Sequence, residues 1–429
     1  MLLGILIAIC VLQAGANEIE NGNSNKADEQ QIAQQQASGI DFLHFWLAPK
    51  MQRHDEVASV YDRDQHPKII ELADRISRID QSTRLTSLLK ENKRLYSTAF
   101  EPTGSPFLYS ILGTIHTGNF ETDYKIFQTL STLLLVIGIF LLGRINNLSN
   151  WISVSLLVLL FAIYRPLHVE ISVANVNRIQ IFLFAVYIYL VAGNRFIYAG
   201  IVLGLATAFK LNFLCVAIVV IGGSMFEKNN RHSAGKLVGG FVIGLAIAIV
   251  YGAIYFGSAI HWVHWHQYVK TFVATAQPIE LGNYSTQQLL GTNLTLAPLL
   301  VAIGLAVAMG RSHRHQKIQD IPDAFGQSFA CAGLLAFLIC SPLVWSHYFV
   351  LAIPPTVHLL NPTMLRRSSI VSVLLSCGAL FTSGVLSRWL TPFQNAAILQ
   401  AGVLCLLGAV IYADRFSEIV RAQKQKRTA

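Results

Sequence analysis

Leu237 to Gly257 reads LVGGFVIGLAIAIVYGAIYFG, twenty-one residues in a row without a charged side chain. At about 1.5 Å of rise per residue, such a helix is about 30 Å long, the thickness of a bilayer's hydrocarbon core. No polar face interrupts it, so it reads as a membrane span rather than an amphipathic core helix. Working outward, comparable runs lie near 123–143, 150–168, 178–193, 196–210, 211–225, 296–310, 325–341, 347–360, 369–387 and 394–413. A shorter run over residues 2–16 supplies a first span at 1–16; a cleaved signal peptide is its competing reading, although no basic n-region precedes it. The prediction is an all-α integral membrane protein, a polytopic bundle of about twelve transmembrane helices. Composition agrees: 53% of the 429 residues are hydrophobic and 13% charged, against about 25% charged in soluble domains. A water-soluble enzyme or binding domain is excluded.

The charges orient the bundle. Residues 17–122 hold 15 acidic and 11 basic side chains, whereas the short loops on the other side, with the tail 414–429, hold 15 basic and 5 acidic. Short Lys/Arg-rich loops stay in the cytoplasm. Both termini are therefore expected there, in a bacterial-type inner membrane, with the loop 17–122 and a second loop 258–295 outside. The basic balance is explained by topology and contact with anionic lipid, and nucleic acid is not an expected partner. Within 17–122, the spacing of Ile69, Ile70, Leu72, Ile76, Ile79, Leu85, Leu88 and Leu89 suits amphipathic helices lying along the membrane surface. The short apolar run after Pro102–Tyr109 suits a re-entrant segment. The six cysteines all fall in apolar stretches with no CxxC pair, so neither a metal site nor a disulfide framework is predicted.

Ionisable groups at membrane depth are costly and mark candidate function. Here they gather at outer span ends, among them Asp41, Glu170, Asn175, Asn177, Arg178, Lys210, Trp345 and His347. Asp41 precedes the aromatic run Phe42, His44, Phe45 and Trp46; burial at an apolar edge raises a carboxyl toward a general base's range. A helix cap for Phe42–Met51 is the equal alternative. Lys210 sits between two apolar runs and either snorkels outward or meets a phosphate, a task Arg178 could share. Ser341 to Tyr348, SPLVWSHY, sets Pro, Trp, His and Tyr at one span junction. His261, His264 and His266 have uneven spacing and no acidic neighbour, so no metal site is read there.

Taken in order, the motifs resemble those of glycosyltransferase family 87, polyprenyl-phosphate-mannose-dependent mannosyltransferase-like enzymes of the GT-C superfamily, over about residues 38–360. The resemblance runs through Gly39–Trp46 around Asp41, Tyr61-Asp62, Glu101–Tyr109, Asn175–Arg178, Ala208–Leu211 around Lys210, Gly282–Ser285 around Asn283, and Ser341-Pro342-x-x-Trp345-x-His347-Tyr348. The sequence departs from the family pattern at Ser105-Pro106, Val176 and Tyr284. The resemblance implies a membrane glycosyltransferase that inverts the anomeric centre at the outer face. Its donor would be a polyprenyl-phosphate-linked sugar, with mannose expected, and its acceptor a hydroxyl of a lipid- or glycan-type molecule. Asp41 would be the general base, with His347 beside it as a catalytic residue; Lys210 and Arg178 would bind the donor phosphate. Trp46, Tyr61, Glu101, Asn175, Asn177, Asn283, Trp345 and Tyr348 would bind substrate. Neither a cofactor, a metal nor a protein partner is implied beyond substrates and membrane lipids. The competing reading is a transporter or flippase of lipid-linked or polar substrates, for which a midplane site and paired broken helices are expected.

Overall fold

A computed structural model describes residues 39–52, 57–80, 82–95, 102–226, 231–274, 279, 283–292, 296–313 and 323–428. The expected first span at 1–16 lies outside them. In chain order the helices are α1 Ile40–Gln52, α2 His66–Asp80, α3 Thr83–Leu95, α4 Pro106–Ile115, α5 Phe120–Ile145, α6 Asn150–Ile163, α7 Arg165–Val173, α8 Asn177–Ala192, α9 Phe196–Phe209 and α10 Asn212–Phe226. There follow α11 Arg231–Phe256, α12 Ile260–Ala274, α13 Thr286–Leu290, α14 Ala297–His313, α15 Asp323–Cys340, α16 Ile353–Leu359, α17 Pro362–Arg367, α18 Ser369–Thr382 and α19 Pro392–Thr428. Among the described residues there is no β-strand, only an isolated bridge between Asn283 and Trp345. Helix starts obey local chemistry. Asn119 Oδ1 accepts from Thr122 N (3.0 Å) at the head of α5. Ser105 Oγ accepts from Leu108 N (3.0 Å) at α4, where Pro106 occupies the first turn, which needs no N–H of its own.

Three helices among the described residues are long and apolar enough to cross a membrane: Phe120–Ile145, Arg231–Phe256 and the Pro392–Asp414 part of α19. Seven further apolar helices have 10–17 residues, about 15–25 Å at the helical rise. The outside of the bundle carries bare Trp151, Val158, Val242, Val250, Ile254 and Leu300, a surface suited to lipid rather than water. Two expected spans are not single straight helices. The stretch 150–168 bends by 70° between α6 and α7, where Pro166 in the first turn of α7 removes a backbone donor. The stretch 347–360 is a 3₁₀ turn, Ser346–Ala352, followed by α16, whose first turn holds Pro354 and Pro355.

Packing inside the bundle relies on small residues. Helices α9 and α11 run parallel, with Gly200 and Gly204 against Gly240 and Gly244; a Cβ on any of the four would stand 2.1–2.3 Å from a main-chain oxygen of the partner helix. In lipid, where apolar side chains gain little by associating, such close approach is what holds helices together. A second apolar cluster caps one end of the bundle and joins α1, α2, α3, α4, the start of α5 and α12. The helices expected on the membrane surface belong to it: Ile69, Leu72, Leu85, Leu88 and Leu89 are buried against protein. Each such side chain contributes about 1.5–3 kcal/mol on full burial, and α1 offers an apolar partner closer than lipid. Ile79, at 82% exposed, falls outside that stripe.

Candidate active site

Several interruptions of helix meet beneath this cap. Gly39 has φ +96°, its N–H donates to Ser172 O at 2.6 Å, and a Cβ there would strike the Tyr124 ring, so glycine fixes how α1 departs and puts Asp41 in its first turn. Helix α7 ends at Ala174 in the left-handed region (φ 57°), turning Asn175 inward ahead of Asn177 at the start of α8. Helix α9 ends at Lys210 in extended backbone before α10 begins at Asn212. The segment Ser341–Trp345 completes the ring.

These breaks bring two carboxylates and one cation into a single chain of hydrogen bonds. Asp41 Oδ2 accepts from Asn175 Nδ2 at 2.7 Å. Asn175 Oδ1 in turn accepts from Lys210 Nζ at 2.9 Å. Lys210 Nζ also donates to Asn177 Oδ1 at 2.8 Å and stands 4.2 Å over the Tyr348 ring. Glu170, fully buried, accepts from the Asn177 backbone N–H (2.8 Å) and from Asn177 Nδ2 (2.9 Å). His347 Nε2 lies 3.6 Å from Asp41 Oδ2 without a hydrogen bond of its own, its ring edge-on to Tyr348. Asn175 thus couples the acid and the cation at one remove. A direct pair would hold the carboxyl low and neutralise both groups. Instead, burial pushes the Asp41 carboxyl above its usual range, opposed by the Asn175 hydrogen bond and by the charges of His44 and Lys210.

The cavity they border has a volume of about 380 Å³. Its polar end holds Asp41, His44, Asn175, Lys210, Trp345 and Tyr348; its other end is made by Phe209, Leu214, Ile218, Leu299 and Phe337. Leu211 and Leu214 (41% exposed each) and Leu299 (43%) line the apolar end and also face the outside of the bundle, so the cavity opens sideways between α10 and α14. Among the described residues no group of His, Cys, Asp and Glu is placed to hold a metal.

Asp41, Asn175, Asn177, Lys210, Trp345, His347 and Tyr348, all candidates from the sequence, stand together at or beside this cavity. Others stand elsewhere. Trp46, buried, donates Nε1–H to Asp123 Oδ2 (2.9 Å) and carries Lys50 over its ring at 3.7 Å. Tyr61 lies behind the cavity wall, its hydroxyl on Gly104 O (3.0 Å) and its ring stacked on Tyr109. Arg178 does not line the cavity: its guanidinium is engaged by Gln128 Oε1 and Thr132 Oγ1 (2.7 Å each) and lies near the Phe127 ring. Asn283 is turned to backbone: it accepts from Val344 N (3.0 Å) and donates to Pro342 O (3.2 Å), pinning the segment that presents Trp345. Glu101 lies outside the described residues. Glu170 received no role from the sequence, nor did His44 or Trp265, which line the cavity. A lone acid at an outer helix end was the only signal for Glu170, because its partner Asn177 lies across a left-handed turn that no periodicity reveals.

The family model described as glycosyltransferase family 87 matches residues 102–342, more than half of the chain. No curated protein and no solved structure matches.

Proposed function

The chain belongs to glycosyltransferase family 87 and is a membrane glycosyltransferase; from that premise we propose that it moves a sugar from a polyprenyl-phosphate donor to a hydroxyl of a lipid- or glycan-type acceptor at the outer face of the membrane, with mannose as the sugar, inversion at the anomeric carbon and Asp41 as general base. Asp41 spends Oδ2 on Asn175, and Oδ1 takes the acceptor's proton. The oxygen so released attacks the anomeric carbon from the face opposite the phosphate. The C1–O bond breaks, and its electron pair leaves with the lipid phosphate. That leaving group is stable as an anion, so the paired acid of a glycosidase is not needed; what it needs is a cation where charge builds. Lys210 has three donors, of which two are held by Asn175 and Asn177, and the third meets the phosphate. His347 orients the acceptor hydroxyl beside Asp41, and Trp345 packs on a sugar face. Arg178 acts from behind, as a second buried cation near Glu170.

The observation that carries this reading is the Asp41–Asn175–Lys210 bridge at the polar end of a cavity whose other end is apolar and opens sideways. A base, a phosphate-sized cation site and a lipid path are what a polyprenyl-phosphate donor requires. The test is a transfer assay with purified protein and polyprenyl-phosphate-mannose, reading release of polyprenyl phosphate. Asp41→Asn, which keeps size and hydrogen bonding, is expected to lose about 10²–10⁴-fold in rate. Lys210→Met is expected to lose about 10²–10³-fold. An Asp41→Asn protein with wild-type turnover would remove the base from the scheme.

A further inference from the structure

A second recess, of about 290 Å³, lies on the far side of α12 from the catalytic cavity and is lined by Tyr61, Asp62, His264, Gln267, Tyr268 and Thr271. The two recesses share a wall. Trp265 and Val269 of α12 face the cavity, while His264, Gln267, Tyr268 and Thr271 of the same helix face the groove. Gly104 lines the cavity on one side and accepts the Tyr61 hydroxyl from the other. Trp265 Nε1 ties α12 to Thr103 O at 3.1 Å, so the wall is one braced unit.

The lining is chemically selective. Tyr61 and Tyr268, with ring centroids 6.5 Å apart, form a buried aromatic floor. Above it stand a carboxylate, an amide, a hydroxyl and an imidazole. Among the described residues, none that lines the groove is Lys or Arg. With Asp62 negative, a phosphate or carboxylate ligand would be repelled. A lipid chain would press the Asp62 carboxylate and the Gln267 amide against hydrocarbon. What satisfies the whole set is a neutral molecule with alternating C–H faces and hydroxyl edges: the C–H face packs on the tyrosines and the hydroxyls divide among Asp62, Gln267, Thr271 and His264.

We propose that this groove binds the distal sugar residues of a neutral oligosaccharide acceptor, holding it while its terminal hydroxyl reaches over the shared wall to Asp41. The inference rests on the glycosyltransferase reading above and narrows its acceptor from a lipid or glycan to a neutral glycan of several residues.

The test is binding to the full-length protein in lipid nanodiscs, by calorimetry, of mannotetraose, maltotetraose and chitotetraose beside their methyl monoglycosides. At least one tetraose is expected to bind ten times more tightly than its monoglycoside. Asp62→Ala and the groove-filling Thr271→Trp are each expected to cut that advantage at least fivefold, with melting temperature and monoglycoside binding unchanged. Gln267→Ala, an exposed truncation, is read beside them so that a misfolded Thr271→Trp protein does not decide the matter. No tenfold advantage for any tetraose, or one that survives the substitutions in folded protein, overturns the proposal. Transfer to methyl mannoside is assayed separately: its absence with tetraose binding intact would sink the catalytic reading and leave the groove standing.

Discussion

Asp41 and Lys210 do not touch; they share Asn175. This makes Asn175 a positioning residue whose loss has a signature beyond lower rate. Burial raises the Asp41 carboxyl, and the proposed base works only when ionised, so activity should be full above its pKa and fall as pH drops through it. The acid limb of kcat/KM is therefore expected above about pH 4, the ordinary carboxylate value. Asn175→Ala removes a hydrogen bond that favours the carboxylate, so the limb should move to higher pH. A shift to lower pH would mean that Lys210 had closed directly on Asp41. The residue scale also shows what the sequence could disclose. Lys210 stood out as a lone cation between apolar runs. Trp46 misled because it is near Asp41 in sequence, yet five residues along a helix turn the side chain through about 140°, here toward Asp123. Asn283 misled for another reason: its partners at 342–344 lie some sixty positions away, and only the folded chain brings their backbone to its amide.

At the scale of elements, Lys210 is the last word of α9, and α9 is held by its glycine contact with α11. Gly204→Leu would push a side chain into Phe241 O and spread the two helices. Overpacking of this kind costs about 1–3 kcal/mol, and in detergent the melting temperature should fall by several degrees. Because the same shift moves Lys210 away from Asn175 and Asn177, transfer should fall by more than the loss of folded protein explains. Gly235→Ala, at a glycine with open space around it, serves as the matched control and should leave both unchanged. The apolar runs were visible in the sequence as elements, but their ends were not. A 70° bend at Tyr164–Pro166 and a 3₁₀ turn at Ser346–Ala352 have the same composition as a straight span. What distinguishes them is where backbone groups find partners, as when the Tyr164 hydroxyl reaches Phe349 O at 2.7 Å.

For the whole molecule, the parallel course of α9 and α11 places Arg195, before α9, at one end of the bundle. Ser258, after α11, lies at the other end, which is also the end of Lys210. The Lys/Arg-rich loops predict that the Arg195 end is cytoplasmic. In a cysteine-free background, Ser258→Cys should react with a membrane-impermeant maleimide added to intact cells, and Arg195→Cys should react only after lysis. The reverse pattern would turn the molecule over and put the chemistry on the inner side. Charge alone supplies the expected orientation, and the labelling experiment decides it. That the cap covers the cavity bordered by Asp41 and Lys210 was not legible in the sequence, because the cap joins α1 to α12 across more than two hundred residues of intervening chain.

The sideways mouth between Leu211, Leu214 and Leu299 has a kinetic corollary. A substrate that enters and departs through the flank of the protein never passes through bulk solution, so the concentration that governs its capture is the number of donor molecules per unit of bilayer area. Adding inert phospholipid at constant total donor should slow turnover by surface dilution, whereas adding buffer should leave it untouched.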